Sequence, residues 1–265
     1  MESSDRDTKL IFKLIKNQRA SSTVDAQILR VEQNEFTTPA EINETFRNHF
    51  SNLAEPKRNL NSMKKMKIDV ELIVNICEIS SVTIQPVTPT EISKLVATLN
   101  KKKAEDIDNL TAEHLQYGES TISDYLASTI NNIFYTKYVP DSIKKGLLTA
   151  VPTKDKDLSN PSNYRGITVI SIICKLLEMC IRARIERTLE KQQNRLQTGF
   201  TNGASSINIA LLITESINEA KDNNETLILI TLDAEKAFDV VDHTHLFWKI
   251  YHQDITGSTW LLIQE

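Results

Sequence analysis

The sequence predicts an α+β protein in which helices outnumber strands. Several segments carry apolar residues at helical spacing, most clearly residues 119–138 and 171–192. Two short apolar runs, 147–152 and 166–170, flank a polar loop as paired strands do. A third run, residues 226–232, is apolar apart from its threonines, a pattern typical of a strand buried on both faces.

Composition indicates a globular protein of ordinary polarity. The chain has 265 residues, 40% hydrophobic and 25% charged, enough for one large domain or two small ones. No apolar run reaches the ~18 residues that a membrane helix needs, and the N-terminal sequence has no apolar signal region. We therefore expect a nuclear or cytoplasmic protein without a membrane partner. The three cysteines include no CxxC pair, so we expect them to be reduced and mostly buried rather than in disulfides or a zinc site.

Charge is unevenly distributed along the chain, although the net charge is only −4. Residues 141–187 contain nine Lys or Arg and five Asp or Glu, whereas residues 211–245 contain two basic and eight acidic residues. This asymmetry fits a protein that holds a polyanion in one place and a metal in another. It fits equally well two segments that attract each other, and charge alone does not decide between these interpretations.

The N-terminal part is predicted to contain two helices followed by a linker. Residues 8–19 show a short amphipathic pattern, and Pro39 opens a second helix. Together these predict a helical region over residues 1–55. We predict a linker over residues 56–85, because residues 54–68 are polar and basic without an apolar period.

The central part begins with a marked helix start. Thr88 and Glu91 have the spacing of a capping box, and Pro89 stands at the first helical position. Residues 101–110 are predicted to be a loop. In the long helix that follows the two strands, Arg184 is predicted to face outward with the other arginines.

A carboxylate directly follows the predicted buried strand. Asp233 stands where the strand would leave the core, so it can meet water and a cation without the desolvation cost of the interior. A hard cation such as Mg²⁺ binds carboxylate oxygens together with substrate phosphates. From spacing alone an alternative remains open, in which Asp233 caps the next turn while Asp239 and Asp242 are solvated.

Five segments, in order, resemble the reverse transcriptase of non-LTR (LINE-type, jockey-like) retrotransposons. PSNYRGIT and LDAEKAFDVVDH are the most specific stretches within them. The five segments are INETFRNHFSNLAEP with the earlier KLIKNQR, VTPTEISKLVATLNKKKAEDIDNLTAEHL, VPDSIKKGLLTAVPTKDKDLSNPSNYRGITVISIICKLLEMCIRARI, LQTGFTNGASS and LDAEKAFDVVDH.

The resemblance implies a fold as well as a family. Residues 1–55 would form a helical pre-fingers region, residues 86–225 the fingers and first palm helices, and residues 226–265 the start of a polymerase right-hand palm. The family's second catalytic box, an aromatic-x-Asp-Asp turn, is not in this sequence. We therefore expect a palm that is truncated before that box and leaves an apolar sheet face uncovered, with poor solubility as the result.

The resemblance also implies a chemistry, that of an RNA-directed DNA polymerase. Its partners would be an RNA template, a DNA primer and deoxynucleoside triphosphates, with Mg²⁺ as cofactor in the complete enzyme. Such enzymes use two metal ions ~3.5–4 Å apart to stabilise the attacking and leaving oxygens. Asp233 falls on the first catalytic, metal-binding carboxylate, and the carbonyl of Ala234 falls beside it in the substrate site.

Further positions carry roles by the same resemblance. Phe238 falls on the steric gate, a ring that occupies the space of a ribose 2′-OH. Arg165 falls on the fingers arginine that binds the incoming triphosphate, and a bidentate guanidinium suits phosphate; Lys154 would assist it. Gly199 and Phe200 lie in a block that approaches template or primer. Without the resemblance, Phe238 is equally a core residue and Arg165 is more readily a surface arginine.

The chain departs from the family pattern at several positions. Glu105, Asp106 and Asn109 stand where small residues and glycine are usual, while Asp108 is kept. Two added acids near a nucleic-acid path are expected to repel phosphate. Thr201 stands where an arginine is usual, which removes another phosphate contact. Besides a partial reverse transcriptase, the sequence therefore leaves open a non-catalytic remnant or a domesticated RNA-binding or scaffold protein.

We predict that the purified chain does not extend a DNA primer on an RNA template in the presence of Mg²⁺. The reason is that the sequence supplies one of the three metal-binding carboxylates that the resemblance requires. A primer-extension assay measures this directly. Extension by the wild-type chain that is abolished by Asp233→Ala would contradict the prediction.

Overall fold

Helices dominate the computed structural model, which describes residues 28–54, 60–194, 196–234 and 236–265. Among these residues the strands form only two small sheets, β1–β2 and β3–β4, so the α+β class predicted from the sequence is confirmed. In chain order the elements are β1 (Leu29–Val31), β2 (Asn34–Phe36), α1 (Pro39–Leu53), α2 (Leu60–Ile79), α3 (Pro89–Thr98), α4 (Ala112–Tyr117), α5 (Glu119–Thr136), α6 (Asp141–Lys144), β3 (Gly146–Pro152), a 3-10 turn (Pro161–Asn163), β4 (Tyr164–Ile170), α7 (Ile172–Gln192), α8 (Ser206–Asp222), α9 (His243–Tyr251) and α10 (Gly257–Gln264).

The first of two compact units contains residues 28–54 and 148–167 of the described chain. Its small core forms where the Phe46 ring packs edge-to-face on Tyr164, with 4.7 Å between ring centroids. The Tyr164 hydroxyl donates a 2.8 Å hydrogen bond to the Leu158 carbonyl. A Cβ on Gly166 would lie 3.2 Å from the Phe50 ring, so a glycine allows this close approach.

Helix α1 begins where the sequence predicts. Thr38 precedes Pro39 and its hydroxyl accepts a hydrogen bond from the Glu41 amide, while the Glu41 carboxylate accepts one from the Thr38 amide. This reciprocal capping box satisfies two amides that the first turn leaves without helical partners. The hydrogen bonds from Thr38 lower the pKa of Glu41. The helix predicted over residues 8–19 lies outside the described residues.

The second compact unit contains residues 60–147 and 168–265 of the described chain and holds the main apolar core. Apolar side chains from α3, α5 and α7 meet there at helical spacing. The members at most 5% exposed include Ile92, Val96, Ile130, Leu176 and Cys180. Of these helices, α3 and α5 show a clear apolar periodicity in their sequences.

A second core cluster in this unit corrects the predicted linker. Within the range 56–85, residues 60–79 form helix α2, which buries Ile73 and Cys77 one turn apart against α9 and α10. Trp260 of α10 is fully buried in this cluster, and its Nε1 donates to the Phe247 carbonyl at 2.8 Å. The sequence pattern does not reveal this helix, because the first residues of α2 are polar and its apolar residues begin only near residue 68. The domain boundaries themselves stay a prediction.

The sequence predicts that Arg184 of α7 faces solvent, and this prediction is wrong. The Arg184 side chain is only 12% exposed. All five of its N–H groups donate hydrogen bonds. Nε donates to the Gln85 carbonyl, Nη1 to Glu91 and the Cys180 carbonyl, and Nη2 to Glu91 and the Pro86 carbonyl. The predicted capping box at Thr88 is therefore half formed: Thr88 accepts from the Glu91 amide, but the Glu91 carboxylate binds Arg184.

Asp106 is buried and fixes the loop predicted at 101–110. Its Oδ1 accepts hydrogen bonds from the Asp108 and Leu110 amides at 3.0 and 2.8 Å, and its Oδ2 accepts from the Ile172 amide at 2.9 Å. Ile172 is the first residue of α7, so the carboxylate sits at the positive end of that helix. The Asp106 side chain is 6% exposed, so it is not a solvated acid on the loop surface. Repulsion of phosphate by Glu105 and Asp106 stays a prediction.

The three cysteines are free, and Cys77 and Cys180 are buried as predicted, while Cys174 is half-buried. Burial raises the pKa of Cys180 to about 11, which keeps it protonated and unreactive near neutral pH. None of the helices in the described chain has both the length and the apolarity that crossing a membrane requires.

Replacing Arg184 with alanine is predicted to destabilise the second unit by about 2–4 kcal/mol, since Glu91 and three carbonyls lose their donor in a half-buried site. Arg182→Ala is the matched control, because Arg182 lies on the same helix and is 69% exposed beside Glu186. It should cost at most ~0.5 kcal/mol. Urea unfolding followed by circular dichroism measures both variants, and equal losses would contradict the assigned role.

Candidate functional site

Asp233 lies in an exposed segment without regular secondary structure. Residues 225–234 form neither helix nor strand, so the strand predicted at 226–232 is wrong for this structure. A strand buried on both faces needs neighbours that pair with its backbone and cover its side chains. No strand in the described chain pairs with this segment. Its leucines and isoleucines are exposed. The apolar surface that they leave uncovered is not the sheet face predicted from the sequence, because the segment forms no sheet.

Phe238 follows in a turn and meets a second residue singled out from the sequence. The Asp239 and Val240 amides both donate to the Lys236 carbonyl, which closes the turn. The Phe238 ring is 78% exposed, so the alternative of a core phenylalanine is wrong. It contacts Phe200 edge-to-face, with ring centroids 6.0 Å apart and planes at 90°. The structure thus brings together two of the predicted site residues.

The turn that carries Gly199 and Phe200 is held by glutamine and threonine side chains. Gln197 Nε2 donates to the Gly199 carbonyl, and the Thr201 hydroxyl donates to the Gln197 carbonyl at 2.7 Å. Gln193 Nε2 at the end of α7 donates to Thr201 Oγ1 at 2.6 Å. Phe200 has φ +59°, a left-handed conformation that a bulky residue adopts only when its neighbours hold it there. Thr201 therefore serves to close this turn.

Lys154 and Arg165 lie in the β3–β4 hairpin, within the first compact unit, and both are exposed. Lys154 stands in the connecting loop, and Arg165 is the second residue of β4. The Thr153 amide donates to the Asn163 carbonyl at 2.8 Å, which closes the loop at its base. Within the loop, Asp157 accepts from the Ser159 amide and hydroxyl, and these bonds lower its pKa.

Residues 151–264 match the family model described as reverse transcriptase (RNA-dependent DNA polymerase). We call this range the reverse transcriptase segment, after the family that it resembles. The matched range begins near the end of β3 and ends in α10, so it includes the hairpin loop and β4, the turn at 197–201, the aromatic pair and Asp233.

Relatives of this chain carry names from transposons and retrotransposable elements. The chain is 28% identical over 172 residues to a probable RNA-directed DNA polymerase from transposon BS of Drosophila melanogaster, covering 64% of this chain and 19% of the relative. It is 27% identical over 161 residues to the transposon TX1 uncharacterized 149 kDa protein of Xenopus laevis, covering 61% and 12%. It is 34% identical over 98 residues to the Pol polyprotein of retrotransposable element R2 of Popillia japonica, covering 37% and 13%. The chain thus spans about an eighth to a fifth of these relatives.

A magnesium site is not assembled in the described part of this reverse transcriptase segment. No three His, Cys, Asp or Glu side chains among those residues gather closely enough to hold a metal ion. Asp233 and Ala234 are exposed, and the described residues bring no metal-binding cluster to them. The residues present therefore do not fit a complete Mg²⁺ site.

The structure shows what Asp242 and Asn109 do locally, which the sequence pattern did not decide. Asp242 is the N-cap of α9 and accepts from the His245 amide at 3.2 Å, so it is not merely solvated. An aspartate at the N-cap position is a sequence signal for the start of a helix, so this role could have been predicted. Asn109 has φ +58°, a conformation that glycine adopts most easily and asparagine tolerates, which explains its place where the family usually has glycine.

Amide hydrogens of residues 226–234 are predicted to exchange with solvent within seconds, because the segment lacks helical or ladder hydrogen bonds. Helix α8 is the matched control: many of its side chains are also exposed, but its amides are helically bonded. Hydrogen–deuterium exchange with peptide mass spectrometry compares the two segments. Protection of 226–234 equal to that of α8 would show that a strand has formed.

Proposed function

We propose that this chain is part of an RNA-directed DNA polymerase of a non-LTR retrotransposon. The observation that carries the proposal is the reverse transcriptase match over residues 151–264. Every residue singled out from the sequence for catalysis or substrate binding lies inside that range. A relative named as a probable RNA-directed DNA polymerase aligns with 64% of this chain, which supports the same assignment.

The residues divide into three proposed roles. Arg165, assisted by Lys154, binds the triphosphate of an incoming deoxynucleotide, since both cations are exposed on one hairpin and free to meet phosphate. Asp233, with the carbonyl of Ala234 beside it, would supply the first ligands for Mg²⁺ in a longer protein that brings the remaining carboxylates. Phe238 is the steric gate that favours deoxyribose.

The aromatic contact supports a link between the gate and the nucleic acid. Phe200, next to Gly199, belongs to the block proposed to approach template or primer, and its ring packs on Phe238. An edge-to-face pair is worth about 0.5–1.5 kcal/mol beyond area burial. The pair therefore restrains the Phe238 ring relative to the turn at 197–201.

Complete activity is proposed for a longer protein rather than for these residues alone. The relatives are five to eight times the length of the part they share with this chain, as their coverages of 19% and 12% indicate. An RNA template, a DNA primer, deoxynucleoside triphosphates and Mg²⁺ are the proposed partners and cofactor. A nuclear or cytoplasmic location remains part of this proposal.

A second candidate is a non-catalytic protein that keeps RNA binding or a scaffold role. The observation that favours it is the irregular segment at 225–234, which leaves Asp233 without a rigid support. Catalytic carboxylates need to be held in place by the elements that carry them. The two candidates differ in whether deoxynucleotide binding depends on Arg165.

Arg165→Ala is predicted to weaken the binding of a fluorescent deoxynucleoside triphosphate by about 10- to 100-fold, because a charge-assisted contact worth about 1.5–3 kcal/mol is lost. Arg165→Lys should recover part of the affinity. Arg47→Ala is the matched control, since Arg47 is an exposed arginine of the same unit. If Arg165→Ala and Arg47→Ala bind equally well, the triphosphate role is wrong and the non-catalytic candidate is favoured.

A further inference from the structure

Asn202 and Gly203 form the single Asn–Gly dipeptide of the sequence. They lie in a turn between Phe200 and helix α8, where the Ala204 amide donates to the Thr201 carbonyl at 3.2 Å. An asparagine side chain can react with the backbone nitrogen of the residue that follows it. Glycine at that position favours the reaction, because it has no Cβ to hinder the close approach. The dipeptide therefore has the composition of a site of spontaneous chemical modification.

Neither reacting group is engaged elsewhere in the part of the chain that the structure describes. Asn202 is exposed, and its carboxamide makes no hydrogen bond to any described residue. The Gly203 amide likewise donates to no acceptor within the described ranges. A Cβ placed on Gly203 would meet no heavy atom within 4 Å beyond its chain neighbours, so the space around this residue is open. Both groups are therefore available to react and accessible to water.

Two other exposed asparagines show how the same chain protects such a bond. Asn223 and Asn224 directly follow α8. The Asn224 amide, which would attack Asn223, donates to the Lys221 carbonyl at 3.2 Å. The Glu225 amide, which would attack Asn224, donates to the Ala220 carbonyl at 2.8 Å. In both cases the attacking nitrogen is hydrogen-bonded and belongs to a residue with a side chain, and the Asn–Gly turn has neither protection.

The backbone at Asn202 is also weakly restrained. Attack requires the backbone to rotate until the nitrogen faces the side-chain carbonyl. The bond from the Ala204 amide to the Thr201 carbonyl is the hydrogen bond that spans this dipeptide, and at 3.2 Å it is long. The bonds from Gln193 to Thr201 and from Thr201 to Gln197 hold the preceding turn and end one residue before Asn202. The rotation therefore breaks one weak contact.

We infer that the Asn202–Gly203 bond is a site of spontaneous deamidation, which converts Asn202 to aspartate and isoaspartate. The Gly203 nitrogen forms a bond to Asn202 Cγ, and its proton leaves with the side-chain amide as ammonia. Water then opens the resulting five-membered imide. Opening at Cγ gives aspartate, whereas opening at the main-chain carbonyl carbon gives isoaspartate. One water is consumed for each ammonia released, no oxidant or reductant takes part, and the reaction does not depend on the polymerase function.

The products add a negative charge to a defined groove. Asn202 lines a groove of about 560 Å³ together with Arg182, Glu186 and Glu190 of α7. Because a neutral amide becomes a carboxylate, the formal net charge changes from −4 to −5. Isoaspartate also adds one carbon to the backbone beside Thr201, whose hydroxyl closes the neighbouring turn. Deamidation therefore changes both the charge and the backbone next to the block that contains Gly199.

The first test incubates the purified chain at mildly alkaline pH in water enriched in the heavy oxygen isotope, followed by peptide mass spectrometry. The peptide that contains Asn202 should take up heavy oxygen as the imide opens. Its rate should exceed that of the peptide with Asn223 and Asn224 at least about tenfold, a barrier difference of about 1.4 kcal/mol. Isoelectric focusing should show a growing species with one more negative charge.

The second test uses substitutions at the dipeptide. Asn202→Gln should abolish the uptake, because the longer side chain keeps the amide but would have to close a six-membered ring. Gly203→Ala should slow it about tenfold, because a methyl group then hinders the nitrogen. Asn223→Gln is the matched control and should leave the rate at Asn202 unchanged. Circular dichroism of each variant shows that the fold is kept, which is expected because all three positions are exposed.

The same measurement in urea tests the structural part of the inference. Asn202 should react at nearly the same rate in the folded and unfolded chain, because the folded turn gives it no protection. Asn223 and Asn224 should react faster in urea, since unfolding removes the hydrogen bonds of the amides that follow them. Three results would overturn the inference: no heavy oxygen at Asn202, uptake that persists in Asn202→Gln, or a rate at Asn202 that rises about tenfold or more on unfolding.

Discussion

The second unit depends on one guanidinium. All five N–H groups of Arg184 donate hydrogen bonds within the protein. Two go to the Glu91 carboxylate of α3 and three go to backbone carbonyls. It also lies 5.7 Å from the Phe134 ring of α5. A lysine has three donors on one atom and cannot serve such divergent acceptors. The main core therefore has a polar anchor that fixes how α3, α5 and α7 meet.

Asp106 supplies a second anchor of the opposite charge. Its carboxylate joins the loop at 101–110 to the first amide of α7. A buried carboxylate is tolerable only when its oxygens accept several hydrogen bonds, and Asp106 meets that condition with backbone amides alone. The same loop carries Lys101 and leads into α4.

The reverse transcriptase segment is organised to different degrees along its length. The hairpin loop and the turn at 197–201 are closed by their own hydrogen bonds, and Phe200 meets Phe238. Segment 225–234 has no comparable support, because its backbone finds no neighbouring strand among the described residues. Local hydrogen bonds can build turns and hairpins without distant partners, whereas a central strand cannot be built that way.

The sequence by itself determined the elements whose physics is local. The start of helix α1 at Pro39, the β3–β4 hairpin and the long helix α7 all follow from short-range spacing. The family resemblance likewise came from contiguous motifs, and it selected Phe200 and Phe238 without indicating that they touch.

Tertiary structure decided what depends on distant partners. Glu91 and Arg184 are 93 positions apart, so a helical pattern that places arginines outward cannot reveal their pairing. The apolar run at 226–232 has the composition of a buried strand, but strand formation requires a second strand beside it. Composition and spacing set what each segment can do, and the partners present in space decide which of those possibilities is realised.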